Sequence, residues 1–217
     1  GSAFKPCVAA AALQNGITPD FSYECTGSLK VSNQIFRCHD LSGHGLMDMK
    51  SALAYSCNTY FYNLALNVGA DNIYNMEKLC GFGNSLSIGG GLVSDAGCLT
   101  DIATLRRLDT ALANLAIGQG DLMLSPLAIT TLYDAICSGG KYTIPSIVEG
   151  YLKAGQFTPY QNNTEKTQAM SESTANTLKS FLISALDEGT GTSAKPSVGI
   201  AGAKTATAQT GWIKDDK

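Results

Sequence analysis

The stretch Ser2-Ala3-Phe4-Lys5-Pro6-Cys7-Val8-Ala9-Ala10-Ala11-Ala12-Leu13-Gln14 decides how the chain is read. Its Ala-rich part favours a helix over 5–14, and Asn15-Gly16 stops it. At the opening of that helix, residues three apart share a face, so Lys5 Nζ is within reach of Ser2 Oγ. A hydroxyl becomes a useful nucleophile when a neighbouring base takes its proton. A lysine desolvated near other cations is neutral enough to serve. The backbone N–H groups of a helix start also face the place where an oxyanion would develop. Ser-x-x-Lys is common by chance, so this segment needs partners elsewhere.

Two further segments supply them. Ser56-Cys57-Asn58 lies between a helix expected over 48–55 and another over 59–68. There Ser56 can relay a proton, and Asn58 can hold Lys5 and a substrate amide together, because its side chain both donates and accepts. Read alone, the segment is an ordinary helix cap. Lys204-Thr205-Ala206-Thr207 falls in a run, 203–210, that reads as a strand. Alternation would send Lys204 and Ala206 to one face and Thr205 and Thr207 to the other. Such a strand can bind an extended peptide, with Lys204 as an electrostatic anchor and a Thr hydroxyl on a carboxylate. By itself it is a solvated edge strand.

Between these segments the pattern is mixed. Helices are expected over 71–80, from an Asp cap to Gly81, over 125–137 behind Ser125-Pro126, and over 171–186. Residues 18–45 read as irregular with short strand-like runs, 84–97 and 189–202 as loops, 118–120 as a Gly-Gln-Gly loop, and 141–157 as a β-hairpin. The fold class is α+β, with helices in the middle and strands toward the end.

Composition narrows the partners. The 217 residues carry 15 Lys+Arg against 18 Asp+Glu, a net charge of −3. That balance offers no basic footprint for nucleic acid. With 44% hydrophobic and 15% charged residues the chain can bury a core, which excludes a disordered tail. No apolar run approaches the ~20 residues that span a bilayer.

Seven cysteines, at 7, 25, 38, 57, 80, 98 and 137, cannot all pair internally, and their wide spacing does not suggest a disulfide scaffold. The simplest expectation is a chain that stays mostly reduced. Cys25, Cys38, His39 and His44 form a candidate metal cluster, with Asp20 and Asp40 as alternative oxygen ligands. Three readings stay open for it: structural zinc, a Cys25–Cys38 disulfide, and unpaired side chains. Cys57 reads as a packed thiol.

The order Ser-x-x-Lys, Ser-x-Asn, Lys-Thr-x at positions 2, 56 and 204 matches the signature of penicillin-binding proteins and serine β-lactamases. The chain resembles the transpeptidase domain of class B penicillin-binding proteins from Gram-positive bacteria. The likeness is carried by Gly1-Ser2-Ala3-Phe4-Lys5-Pro6, His44-Gly45, Ala52 to Phe61, Ala116-Ile117-Gly118-Gln119-Gly120 before Ser125-Pro126-Leu127, Glu188-Gly189-Thr190-Gly191, and Lys204 to Gly211. It implies a penicillin-binding-protein/serine β-lactamase-like fold, with a helical subdomain and part of an antiparallel sheet.

The resemblance also implies roles. Ser2 attacks the penultimate D-alanine of a peptidoglycan stem peptide with Lys5 as base. Ser56 and Asn58 serve the leaving group. Lys204, Thr205 and Thr207 hold the terminal carboxylate. Backbone N–H groups of Ser2 and Thr207 form the oxyanion hole. β-Lactams acylate Ser2, and no cofactor is required for catalysis. The resemblance further implies an N-terminal membrane anchor outside this chain, a place on the outer face of the cytoplasmic membrane, and cell-wall synthesis proteins as partners. On this reading residues 1–217 are part of the domain. Ala206 stands where the family usually has Gly, which narrows the groove by one methyl.

Competing expectations are a serine β-lactamase, for which 84–97 offers no Glu to activate water, a D,D-carboxypeptidase, and a non-catalytic β-lactam-binding scaffold.

Overall fold

The Ala-rich segment forms helix α1, Lys5–Gln14, and the chain is organised around it. Every residue from Lys5 to Ala12 is buried. A helix with small side chains all round has no polar face to turn to water, so it sits at the centre with other helices packed close. In this computed structural model, which describes residues 1–161 and 165–207, those neighbours are α3 (Asn58–Val68), α4 (Ala70–Leu79) and α8 (Glu172–Asp187). Around them lie α2 (Met49–Ala54), α5 (Ile102–Arg107), α6 (Asp109–Ala116) and α7 (Pro126–Cys137). Tyr60, Phe61, Phe82, Leu64, Ile73, Leu115 and Leu132 fill the core between them.

The helix starts follow local chemistry. Asp48 caps α2 through the Ser51 N–H, and Ser51 returns the bond in a capping box. Ser125 caps α7 ahead of Pro126 at the first helical position, and Ser171 caps α8. The expected Asp cap of α4 is replaced by Gly69. Asp71 sits in the first turn instead and pairs with Arg106.

Helices α5 and α6 went unread in the sequence. They are short, and the apolar residues of α6, Leu112, Ala113, Leu115 and Ala116, run straight into the Gly118 loop signal, which masks their period.

Among the described residues the strands form five two-stranded antiparallel ladders. Strand β1 (Tyr23–Cys25) pairs with β4 (Gly45–Met47), and β2 (Ser28–Val31) pairs with β3 (Gln34–Arg37). Within the expected loop 84–97, β5 (Ser87–Gly89) pairs with β6 (Leu92–Val93). The hairpin expected over 141–157 is divided. Strand β7 (Lys141–Thr143) pairs with β10 (Lys166–Gln168), while β8 (Gly150–Lys153) and β9 (Gln156–Pro159) form the tight hairpin. Ala154 and Gly155 both adopt positive φ there, as a two-residue turn of this twist requires.

The expected strand over 203–210 does not form across its described part. Residues 201–207 are irregular, and Ala203 N–H bonds the Leu182 carbonyl of α8 rather than a neighbouring strand. A strand exists only with a ladder partner, and among the described residues none lies alongside. Residues 208–210 of that expectation lie outside the described residues.

Candidate functional site

Ser2 lies in a 3-10 turn, Ser2–Phe4, that leads directly into α1. Two contacts fix this turn: Tyr133 OH of α7 donates to the Ala3 carbonyl at 3.1 Å, and Gly1 N donates to the Gly118 carbonyl. Gly118 has φ +67°, and a Cβ there would collide with the Gly1 backbone, so the Gly-Gln-Gly loop is glycine at the point where it backs the nucleophile.

Lys5, one turn on, is wholly buried, and each of its three N–H donors has an acceptor. Nζ donates to the Ser56 carbonyl at 2.6 Å, to Ser56 Oγ at 3.1 Å and to Asn58 Oδ1 at 2.7 Å. The Phe61 ring lies 5.4 Å away. Burial first, and then the charge of Lys204, lower the Lys5 ammonium to about 7.

Lys204 donates to Ser56 Oγ at 2.8 Å, and burial lowers it to about 8. Ser56 Oγ therefore accepts from both amines. The residue is held at φ +58°, a left-handed conformation that is costly for anything but glycine, between α2 and α3. Thr190 connects the 189–191 segment to this wall: its N–H bonds the Ala54 carbonyl, and its hydroxyl lies 2.8 Å from that of Thr205.

A cleft of about 320 Å³ is lined by Ser2, Ser56, Asn58, Thr205, Thr207, Thr190, Gln119, Ile117 and His39. Lys5 and Lys204 meet in its wall at Ser56. The structure thus gathers all seven residues expected for acyl transfer at one place. Thr190 and Gln119 carry no expected site role in the sequence analysis, although both stand in runs that carry the family likeness. Each sits in a Gly-flanked run, which was the available signal.

The Cys/His cluster is built on the ladders beside α3. Cys25 Sγ and Cys38 Sγ each lie 3.5 Å from His44 Nδ1, and Cys38 Sγ is 4.0 Å from Cys57 Sγ. The four donor atoms fall within 4.8 Å of one another. A tetrahedral site with Zn–S of about 2.3 Å and Zn–N of about 2.0 Å needs donors roughly 3.5–3.8 Å apart. The set fits.

Its membership corrects the sequence expectation. Cys57, read as a packed thiol, replaces His39, because the turn between α2 and α3 carries Cys57 back onto β1 and β4. His39 lines the cleft, with its ring 5.0 Å from that of His44. The disulfide reading of Cys25–Cys38 is also corrected, since all seven cysteines are free thiols. Gly43 makes the knuckle possible: at φ +86° a Cβ there would strike the Cys25 carbonyl. The Cys57 thiol bonds Cys38 and pulls the Cys38 thiol well below its usual range, while the same bond pushes Cys57 up. Asn58 N–H also bonds Cys38 Sγ, at 3.4 Å, so the cluster directly abuts the residue that holds Lys5.

Comparison with known proteins bears on the family and the fold. The chain is 29% identical to Stage V sporulation protein D of Bacillus subtilis (strain 168) over 225 residues, all of this chain and 33% of the relative. It is 29% identical to the peptidoglycan D,D-transpeptidase MrdA of Haemophilus influenzae over 74% of this chain and 26% of that one. It therefore spans about a third of the curated relatives it matches. Among solved structures, penicillin-binding protein 3 of Mycobacterium tuberculosis complexed with aztreonam superposes with a TM-score of 0.77 and 26% identity, over 90% of this chain and 45% of that one. The D,D-transpeptidase domain of a peptidoglycan glycosyltransferase from Eggerthella lenta shares the fold, with a TM-score of 0.87 at 24% identity over 97% of this chain and 54% of that one. The family description "Penicillin binding protein transpeptidase domain" matches residues 1–217, and the chain belongs to that family.

Proposed function

We propose that the chain carries the acyl-transfer centre of a peptidoglycan D,D-transpeptidase. One observation carries this reading: a buried lysine, lowered to about 7, shares Ser56 with a second lysine in the cleft that holds Ser2.

Neutral Lys5 takes the Ser2 hydroxyl proton as Oγ attacks the carbonyl of the penultimate D-alanine. Negative charge on the carbonyl oxygen is received by the backbone N–H groups of Ser2 and Thr207. The C–N bond then breaks, and the proton on Lys5 passes through Ser56 Oγ to the departing D-alanine amine. An amine of a second stem peptide attacks the Ser2 ester, gives up a proton by the same route in reverse, and restores the free serine. Lys204 cooperates with Thr205 and Thr207 to hold the donor's terminal carboxylate. β-Lactams enter as cyclic mimics and acylate Ser2.

The full-length protein is expected to bind a fluorescent penicillin covalently, and Ser2→Ala to abolish the label. Steady penicillin turnover in place of a stable adduct would instead identify a β-lactamase.

The Cys25/Cys38/His44/Cys57 set is proposed to hold a structural zinc ion, which would supply local rigidity to the loop and to Asn58 rather than a reacting group. Plasma emission on protein purified without chelators is expected to find one zinc per chain, and less in Cys57→Ser. The reading places the protein on the outer face of the cytoplasmic membrane among cell-wall synthesis proteins, through an anchor outside this chain. Among the described residues no helix is long and apolar enough to cross a membrane.

A further inference from the structure

The turn that carries Ser2 runs short of backbone donors. Phe4 N–H bonds the Gly1 carbonyl at 3.0 Å and Lys5 N–H bonds the Ser2 carbonyl, the i to i+3 series of a 3-10 turn. The next bond of that series would run from residue 6 to the Ala3 carbonyl. Residue 6 is proline, which suits the first turn of α1 but has no N–H to give. A side chain stands in for it: Tyr133 OH, 130 residues away in the chain, donates to the Ala3 carbonyl at 3.1 Å. The element it comes from is firmly held. Thr131 of α7 donates to the Cys80 carbonyl at 2.6 Å, and Asp134 accepts from the Thr143 N–H at 2.8 Å. Ile129, one turn before Tyr133 on the same face of α7, lines a hollow with Ala3 and Phe4. Burial raises the Tyr133 phenol well above its ordinary value, so its hydroxyl stays a donor.

We propose that Tyr133 is a positioning residue for acyl transfer: its hydroxyl takes the place of the N–H that Pro6 lacks and holds the Ser2 turn in register with Lys5. The proposal rests on the acyl-transfer reading above. Tyr133 is outside the cleft wall and acts through the peptide that joins Ala3 to Phe4, one residue beyond Ser2. When that carbonyl loses its donor, the turn can swing. Ser2 Oγ then leaves its line with the Lys5 amine, and the Ser2 N–H leaves the place of the oxyanion. Asn58, Thr205 and Thr207 belong to other segments, so the surface that receives the donor peptide stays as it was. The loss therefore falls on the chemical step and spares binding.

Stopped-flow acylation of the full-length protein by a fluorescent penicillin tests this, because it reads the plateau rate constant, the half-saturating concentration and the fraction of chains acylated separately. Tyr133→Phe keeps the ring and removes the donor. Its plateau rate constant is expected to fall about tenfold, short of the roughly 10²-fold that a 1 Å misplacement costs. Half-saturation is expected to stay within about twofold of wild type, and the acylated fraction to stay complete. Pro6→Ala returns an N–H to residue 6, so the double variant Tyr133→Phe/Pro6→Ala is expected to regain about threefold over Tyr133→Phe. Four results would each overturn the proposal: a plateau unchanged in Tyr133→Phe, a change confined to half-saturation, a loss confined to the acylated fraction as misfolding produces, or a double variant no faster than Tyr133→Phe. No acylation in wild type would be a different failure, that of the acyl-transfer reading itself.

Discussion

Lys5 and Glu77, an amine and a carboxyl, are both sunk completely into the helices around α1, and they are treated in opposite ways. Lys5 has a hydrogen-bond acceptor for each of its donors, a second lysine across Ser56, and an open cleft beside it. Glu77, on α4, has no partner for either carboxylate oxygen, and burial raises it to about 8. Both pay for leaving water, yet only Lys5 gains a constellation in return. Placing a charge at zero exposure is thus no mark of function by itself; the mark is a full set of partners that keeps the neutral and charged forms close in energy. Glu77 solves the same problem by keeping its proton.

The largest expected effect separates the two by removing the working member. Lys5→Met keeps the volume and loses the base, and general-base contributions run from about 10² to 10⁴. Fluorescent-penicillin acylation of the full-length variant is expected to fall by about 10³ or more, with the fold retained by circular dichroism. A fall of less than about tenfold would remove Lys5 from the mechanism and make it another Glu77.

Next in size is the pH profile of acylation. Lys5 acts once neutral, with its ordinary value lowered to about 7, whereas Lys204 holds a carboxylate only while charged, below about 8. The rate constant is therefore expected to climb about tenfold per pH unit below 7 and to fall above 8. Because the lysines share Ser56, the two limbs belong to the pair rather than to either residue. A profile flat from pH 6 to 9 would break the contrast with Glu77.

How much of this was legible in the sequence follows from the range of each interaction. The nucleophile turn, α1, α3, α7 and α8 were read correctly, because capping and local period are carried by neighbouring residues. The convergence of positions 2, 5, 56, 58 and 204 was read from motif order, which stands in for contacts the sequence does not display. What failed was non-local. Residues 203–207 have strand composition but bond α8 through Ala203. Cys57 joins Cys25 and Cys38 only because the strained Ser56 turn points it there. The sequence reading took His39 as a ligand and Cys57 as a packed thiol, and only the fold brings the Cys57 thiol to the other donors. Nothing local to Glu77 in the sequence signals its burial, which is set by the elements packed around α4.

Glu77→Gln is the smallest test and isolates the silent member of the comparison. The folded protein holds the Glu77 proton up to about 8, while the unfolded chain releases it near 4.5. Between those values the folded state binds the extra proton, so stability is full below pH 4.5 and declines as pH rises toward 8. The whole decline is on the order of 3 kcal/mol, since each pH unit within the window is worth about 1.4 kcal/mol at most and α4 can loosen to admit water. Glutamine cannot ionise, so at pH 8 the variant is expected to be the more stable by about 2 kcal/mol in urea unfolding, and near wild type at pH 5. Penicillin acylation should stay within about twofold, because no atom of Glu77 touches the cleft. If the substitution instead slowed acylation while stability stayed flat with pH, the unpartnered carboxylate would belong to the working site, and the division drawn between the two buried charges would be wrong.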